Sequence, residues 1–173
     1  MPITTTALVL AGAVAGLMQF PSEACGQVFA AATFGNQRRT IVTGADIATN
    51  SELLSTVEGG LHIDLRPGFM IAPVAGLMLP LEHGGRTSVF TELEVNHTFH
   101  TGGYAGTGVG VWALGDPGRT AATILIHFGA PLILRGPGRA KWLFTYESRL
   151  FFGQLNNIDN NYQALVGFRY VFR

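Results

Sequence analysis

A chain of 173 residues has room for one domain and little more. Its Lys and Arg balance its Asp and Glu, so the formal net charge is zero, which excludes the basic field of a nucleic-acid binder and any acidic or basic interaction tail. Charged residues make up only 13%, about half the usual share, and a single cysteine rules out an intramolecular disulfide.

The first feature in chain order is the uncharged apolar stretch from Ala7 to Met18. It is too short to cross a bilayer as a helix, which takes about 20 residues. It matches the apolar centre of a secretory signal. The small residues Ala24-Cys25-Gly26 follow and offer cleavage before Gln27, with cleavage after Ala24 as the alternative. No Lys or Arg precedes Arg38, so the basic flank of such leaders is missing here. Cys25 is a poor lipoprotein acceptor, because Ser22-Glu23-Ala24 places no large aliphatic residue ahead of it. We read residues 1–26 as a signal peptide and 27–173 as one β-barrel domain.

Beyond Gln27 no segment has the spacing of an amphipathic helix. Eight alternating runs occur instead, over 27–36, 52–65, 69–81, 87–100, 103–114, 119–134, 140–152 and 161–172, parted by Gly, Pro, Asn and Asp. Side chains alternate faces along a strand, so each run separates two sets of residues. In the second run Leu53, Val57, Leu61, Ile63 and Leu65 oppose Glu52, Glu58, His62 and Asp64. The third is nearly all apolar and contains Pro73. In the fourth Val89, Leu93, Val95 and Phe99 oppose Glu92, Glu94, Asn96 and His100. The fifth sets Gly106, Gly108 and Gly110 against Thr107, Val109 and Val111; glycines on one strand face leave room for bulky neighbours. In the seventh Trp142, Phe144, Tyr146, Leu150 and Phe152 oppose Lys141, Thr145, Glu147 and Arg149. In the eighth Tyr162, Ala164, Val166, Phe168, Tyr170 and Phe172 oppose Gln163, Leu165, Gly167, Arg169 and Val171. The first link, 37–51, reads as a long polar loop and the seventh, 154–160, as another. The second link, Arg66-Pro67-Gly68, and the fourth, Thr101-Gly102-Gly103, are tight.

Alternation identifies two faces without saying which is inside. A soluble lipocalin-like barrel turns its apolar face inward, and a membrane barrel turns it outward. The export signal favours the membrane arrangement. So does the polar face, whose Glu58, Asp64, Glu92, Glu94, Lys141, Glu147, Arg149 and Arg169 include both signs and suit pairing across a closed lumen, whereas a solvated outer wall calls for more charge than this chain has. The last strand, Gly167-Phe168-Arg169-Tyr170-Val171-Phe172, adds a third argument. It resembles the terminal strand of the outer-membrane β-barrel families, which closes on alternating aromatic residues; Arg173 after the final aromatic departs from that pattern. The whole eight-run pattern is similar to the small OmpA/OmpX-type barrels. The resemblance implies an all-β, eight-stranded, antiparallel up-and-down transmembrane β-barrel in the bacterial outer membrane. It further implies a monomer embedded in lipid, with Phe168, Tyr170 and Phe172 recognised by the barrel-assembly machinery.

Residues capable of chemistry are sparse. His97 and His100 are three apart on one strand and so face opposite ways. His62, Asp64 and Glu58 share a face, but luminal pairing accounts for them better than a metal does. Acyl transfer on lipid needs a serine beside a histidine. His97 has none at a two-residue offset, and Ser148 lies on another run. No catalytic residue, metal or cofactor is expected. An eight-stranded barrel is filled by its own side chains, which excludes a wide pore. Segments 37–51, with Arg38 and Arg39, and 154–160 remain as candidate binding loops. The expected function is a non-enzymatic envelope-structural or loop-binding barrel. The alternatives are an outer-membrane lipid hydrolase and a soluble secreted carrier with an apolar cavity.

Overall fold

Short β-branched and aromatic runs with period-two polarity cannot bury both faces alone; they become stable when the sheet closes on itself. In a computed structural model, which describes residues 26–43, 46–81, 87–113, 120–132, 142–152 and 160–172, the chain does this. The strands are β1 (Gly26–Thr43), β2 (Asp46–Arg66), β3 (Phe69–Pro80), β4 (Ser88–Thr98), β5 (Tyr104–Ala113), β6 (Thr120–Pro131), β7 (Trp142–Phe152) and β8 (Asn160–Val171). Each pairs antiparallel with the next, and β8 pairs antiparallel with β1 to close an eight-stranded barrel. The expected signal peptide lies outside the described residues, except that Gly26 opens β1.

Register fixes the barrel's shape. The path of partners that leaves β1 at Phe29 passes through Gly60, Val74, Glu92, Gly110, Thr123, Phe151 and Asn161 and returns to β1 at Arg39, ten residues further along. That stagger requires strongly tilted strands, roughly 35–45° from the axis. Strands β3 to β8 are 10 to 12 residues long, the length that a tilted strand needs to cross a hydrocarbon layer (about 9–11).

One expectation about connections is corrected. Segment 37–51, read as a polar loop, continues the ladder: β1 and β2 stay paired from Gly26↔Ile63 up to Thr43↔Asp46. Thr40-Ile41-Val42-Thr43 has high strand propensity, and its register was already set by the hairpin below, so pairing extends further than polarity alone suggests. The sixth run is strand to Pro131, the Leu132 amide still donates to the Trp142 carbonyl at 3.1 Å, and residues 133–134 lie outside the described residues. Segment 154–159 and Lys141 lie outside the described residues.

The β2–β3, β4–β5 and β6–β7 connections share one end with the start of β1 and the finish of β8; we call this the turn end and its opposite the loop end. Gly68 and Gly102 hold positive φ there, at 81° and 85°, as the tight links demand. The Thr98 amide donates to the Gly68 carbonyl at 2.8 Å and so ties the two turns together.

The faces sort as in a membrane barrel. Val109 and Ile126 are each 60% exposed on the outer wall, while Arg149 and Arg169 are fully buried inside. Among the described residues the interior therefore mixes buried charge with apolar side chains, unlike the wholly apolar lining of a lipocalin-like carrier. The glycines of β5 line the inner wall and make room for β4: a Cβ at Gly106 would collide with the Asn96 side chain, and one at Gly110 with Cγ of Glu92. A Gly110→Val variant is expected to lose about 1–3 kcal/mol of stability by urea unfolding in detergent. Val109→Leu, one residue away on the outer wall, is expected to stay within about 0.5 kcal/mol.

Candidate functional site

The inward positions of β2, β4, β7 and β8 converge at mid-barrel, and the sequence puts ionisable groups there. Glu58 comes from β2, Glu92 and Glu94 from β4, Glu147 and Arg149 from β7, and Arg169 from β8; all six are buried. Arg149 donates from Nε to Glu92 Oε1 and from Nη2 to Glu92 Oε2, both at 2.9 Å, a two-pronged pairing. Its Nη1 donates to Glu147 Oε2 at 2.6 Å, and Nη2 reaches Glu58 Oε2 at 3.4 Å. Arg169 repeats the arrangement: Nη1 and Nη2 donate to the two oxygens of Glu94 at 3.1 and 3.0 Å, and Nη2 also donates to Glu58 Oε1 at 3.0 Å. Glu58 is thus shared by both guanidiniums.

The carboxylates have further donors. Trp112 Nε1 and Thr123 Oγ1 donate to Glu92 Oε1 at 3.1 and 3.3 Å, and Asn96 Nδ2 donates to Glu94 Oε2 at 3.2 Å. His127 Nδ1 stands 3.7 Å from Glu94 Oε1. Rings close the network on both sides. Toward the loop end, Phe90 and Trp112 stack at 4.3 Å and Phe151 meets Trp112 edge-on at 5.0 Å, with Arg149 5.3 Å from the Phe90 centroid. Toward the turn end, Arg169 sits 4.1 Å above the Phe29 ring and 5.2 Å from Tyr104, whose ring packs against His127 at 5.2 Å. These cation–π contacts favour the charged guanidiniums where water is scarce. Below them a cavity of about 210 Å³, lined in part by His62, Met70, Tyr104 and Leu143, opens at the turn-end mouth.

Of the eight residues expected to line the lumen, the structure brings these six together. Asp64 is not among them. It pairs with Met70 beside the β2–β3 turn and is exposed, because the barrel interior ends before its position. Lys141 lies outside the described residues. The aromatic closures were missed in the sequence, although the signal was present: Trp112 keeps step with Gly108 and Gly110, and His127 with Thr123 and Leu125.

The arrangement holds charge in place and offers little reactivity. Among the described residues no three His, Cys, Asp or Glu side chains form a metal-binding group. His97 stands exposed on the outer wall of β4 between Phe69 and Phe99, with ring centroids 5.1 and 5.3 Å away. Ser148 lies on β7, three strands around the barrel, so the two make no dyad. On the outer wall of β8, Phe168 meets Phe144 at 6.1 Å, and Tyr170 meets Trp142 and Phe172, each at 4.8 Å.

Removing one partner of a buried ion pair strands the other, at a cost of about 3–5 kcal/mol. Arg149→Met is expected to destabilise the folded barrel by that much in urea titrations. Arg149→Met combined with Glu92→Gln should be less destabilised than the sum of the single variants, a coupling that a double-mutant cycle measures.

No protein-family model matches the chain. No curated protein is similar to it in sequence. Among solved structures, Neisserial surface protein A superposes with a TM-score of 0.55 at 8% identity, over 84% of this chain and 97% of that one. Ail, the attachment invasion locus protein of Yersinia pestis, superposes with a TM-score of 0.43 at 7% identity, over 84% and 99%. The first likeness is one of fold: this chain has the closed, all-antiparallel, eight-stranded architecture of the small outer-membrane barrels.

Proposed function

We propose that the chain is a non-enzymatic outer-membrane β-barrel of a Gram-negative bacterium that serves the envelope as a structural element or through binding at its loop end. One observation carries this reading: the outward positions of the described strands are largely apolar at mid-height, while the ion network is buried in the lumen. Water is the wrong solvent for such a surface, since contiguous exposed apolar patches on soluble monomers seldom exceed a few hundred Å². Lipid is the right one, and a closed ladder leaves no backbone group unpaired in it. In this reading the tight links face the periplasm and the extended β1–β2 hairpin faces outward, as is usual for these barrels. Residues 1–26 are the export signal, and the protein works as a single chain surrounded by lipid.

The sealed lumen argues against a general pore. Between the Phe90–Trp112–Phe151 group and the Phe29–Tyr104 group, the ion network occupies the barrel axis. A lipid hydrolase finds no support in the geometry of His97 and Ser148. Phe168, Tyr170 and Phe172 present alternating aromatic rings on the outer wall of the last strand, which suits recognition by the barrel-assembly machinery.

The test is gel mobility. Protein from a urea-washed outer-membrane fraction is expected to migrate differently in detergent gels before and after boiling. A soluble product with no heat shift would overturn the proposal. Phe172→Ser is expected to lower the heat-modifiable fraction in cells several-fold while leaving refolding into detergent micelles unchanged.

A further inference from the structure

The outer wall carries a built cationic platform at the turn end. The ladder between β2 and β3 slips at the end of β2: Asp64 pairs with Met70, yet Arg66 pairs with Phe69. Glu58, Gly60 and His62 mark the even positions of β2 as inward, so an unbroken register would send Arg66 into the lumen. The slip turns it onto the outer wall, which is the kind of re-aiming that bulges perform. There its guanidinium lies 4.4 Å from the Phe69 centroid. Phe69 in turn meets His97 edge-on at 5.1 Å, and His97 meets Phe99 at 5.3 Å.

The platform is fixed from beneath. Gly68, at positive φ, takes the Thr98 amide hydrogen bond, and a side chain placed there would touch the His97 ring. Arg66 is exposed, and among the described residues its guanidinium has no ion pair or hydrogen bond; the Phe69 face is its partner. On the same wall, toward mid-barrel, Leu65, Leu93 and Val95 are exposed and apolar.

A cation level with the interface and a greasy strip beside it match the two halves of a phospholipid. We propose that Arg66, braced by Phe69 and flanked by His97, binds the phosphate of an anionic phospholipid in the leaflet at the turn end. This rests on the membrane reading above. Arg offers a planar fork that fits phosphate oxygens, and stacking on Phe69 leaves the fork free and pre-oriented. The acyl chains run along Leu65, Leu93 and Val95, a feature that a free phosphate ion has no use for.

Native mass spectrometry of the folded protein tests this, with phosphatidylglycerol, phosphatidylcholine or sodium phosphate added at equal concentration. The wild type is expected to retain phosphatidylglycerol about fivefold over phosphatidylcholine, the contribution of one basic residue at a charged membrane surface. Arg66→Gln should abolish the preference. Asn36→Ala, at an exposed site of β1 away from the turn end, should preserve it. Equal retention of the two lipids by the wild type would overturn the proposal. So would a preference that survives Arg66→Gln, one lost equally in Asn36→Ala, or phosphate alone adding as strongly as the lipid. Heat modifiability, measured on the same samples, separates this outcome from failure of the membrane reading: a heat-shifted barrel without lipid preference refutes the phospholipid site alone.

Discussion

Glu58 accepts hydrogen bonds from both Arg149 and Arg169, and through that shared carboxylate the two halves of the ion network become one. The link matters because the network sits at mid-barrel inside a lining of buried apolar side chains, among them Phe29, Phe90, Trp112 and Leu165. In a sandwich the hydrophobic effect drives two sheet faces together, whereas in a closed eight-stranded barrel the narrow interior is filled mainly by the barrel's own side chains. Four carboxylates surround two guanidiniums, with His62 and His127 at their border, so each guanidinium is shared and every pairing depends on its neighbours keeping their positions. Paired in this way, buried charge specifies one arrangement of strands β2, β4, β7 and β8 more strictly than an apolar filling would.

Much else follows from accommodating that network. Six heavy charged side chains at one level need space, and β5 supplies it by presenting glycine at 106, 108 and 110 where its neighbours present Asn96, Glu94 and Glu92. Two layers of rings then separate the charges from the ends of the barrel. Arg149 lies against Phe90 and Trp112, and Arg169 against Phe29 and Tyr104, so the same aromatic groups exclude water and favour the cations.

The inward and outward sets were legible in the sequence wherever polarity alternated cleanly, as in β4, β7 and β8, because period two is a property of the strand itself. Glu92, Glu94, Glu147, Arg149 and Arg169 could be put on the inner face for that reason. What polarity did not reveal depends on geometry between strands. The β1–β2 hairpin continues through residues 37–51 because an established register extends at little cost, whatever the polarity of its residues. Asp64 shares parity with Glu58, but the barrel ends before it. Arg66 shares that parity too and is reversed by a slip that no single-strand pattern announces. Trp112 and His127 keep step with the inward positions of their own strands, but what they close against is set by their neighbours across the ladder.

The closing seam between β1 and β8 has a kinetic meaning. Gln163 hydrogen-bonds Gln37 across 126 residues of chain, and every rung of that seam joins partners from opposite ends of the domain. Contacts of such separation are slow to form, since the entropy of closing the loop is lost before any rung compensates it. Arg169 stands on β8 itself, so until the seam closes the network lacks one of its two cations, and the carboxylates of β2 and β4 are left without a full set of partners. The strand that completes the wall is also the one that brings the interior its second cation.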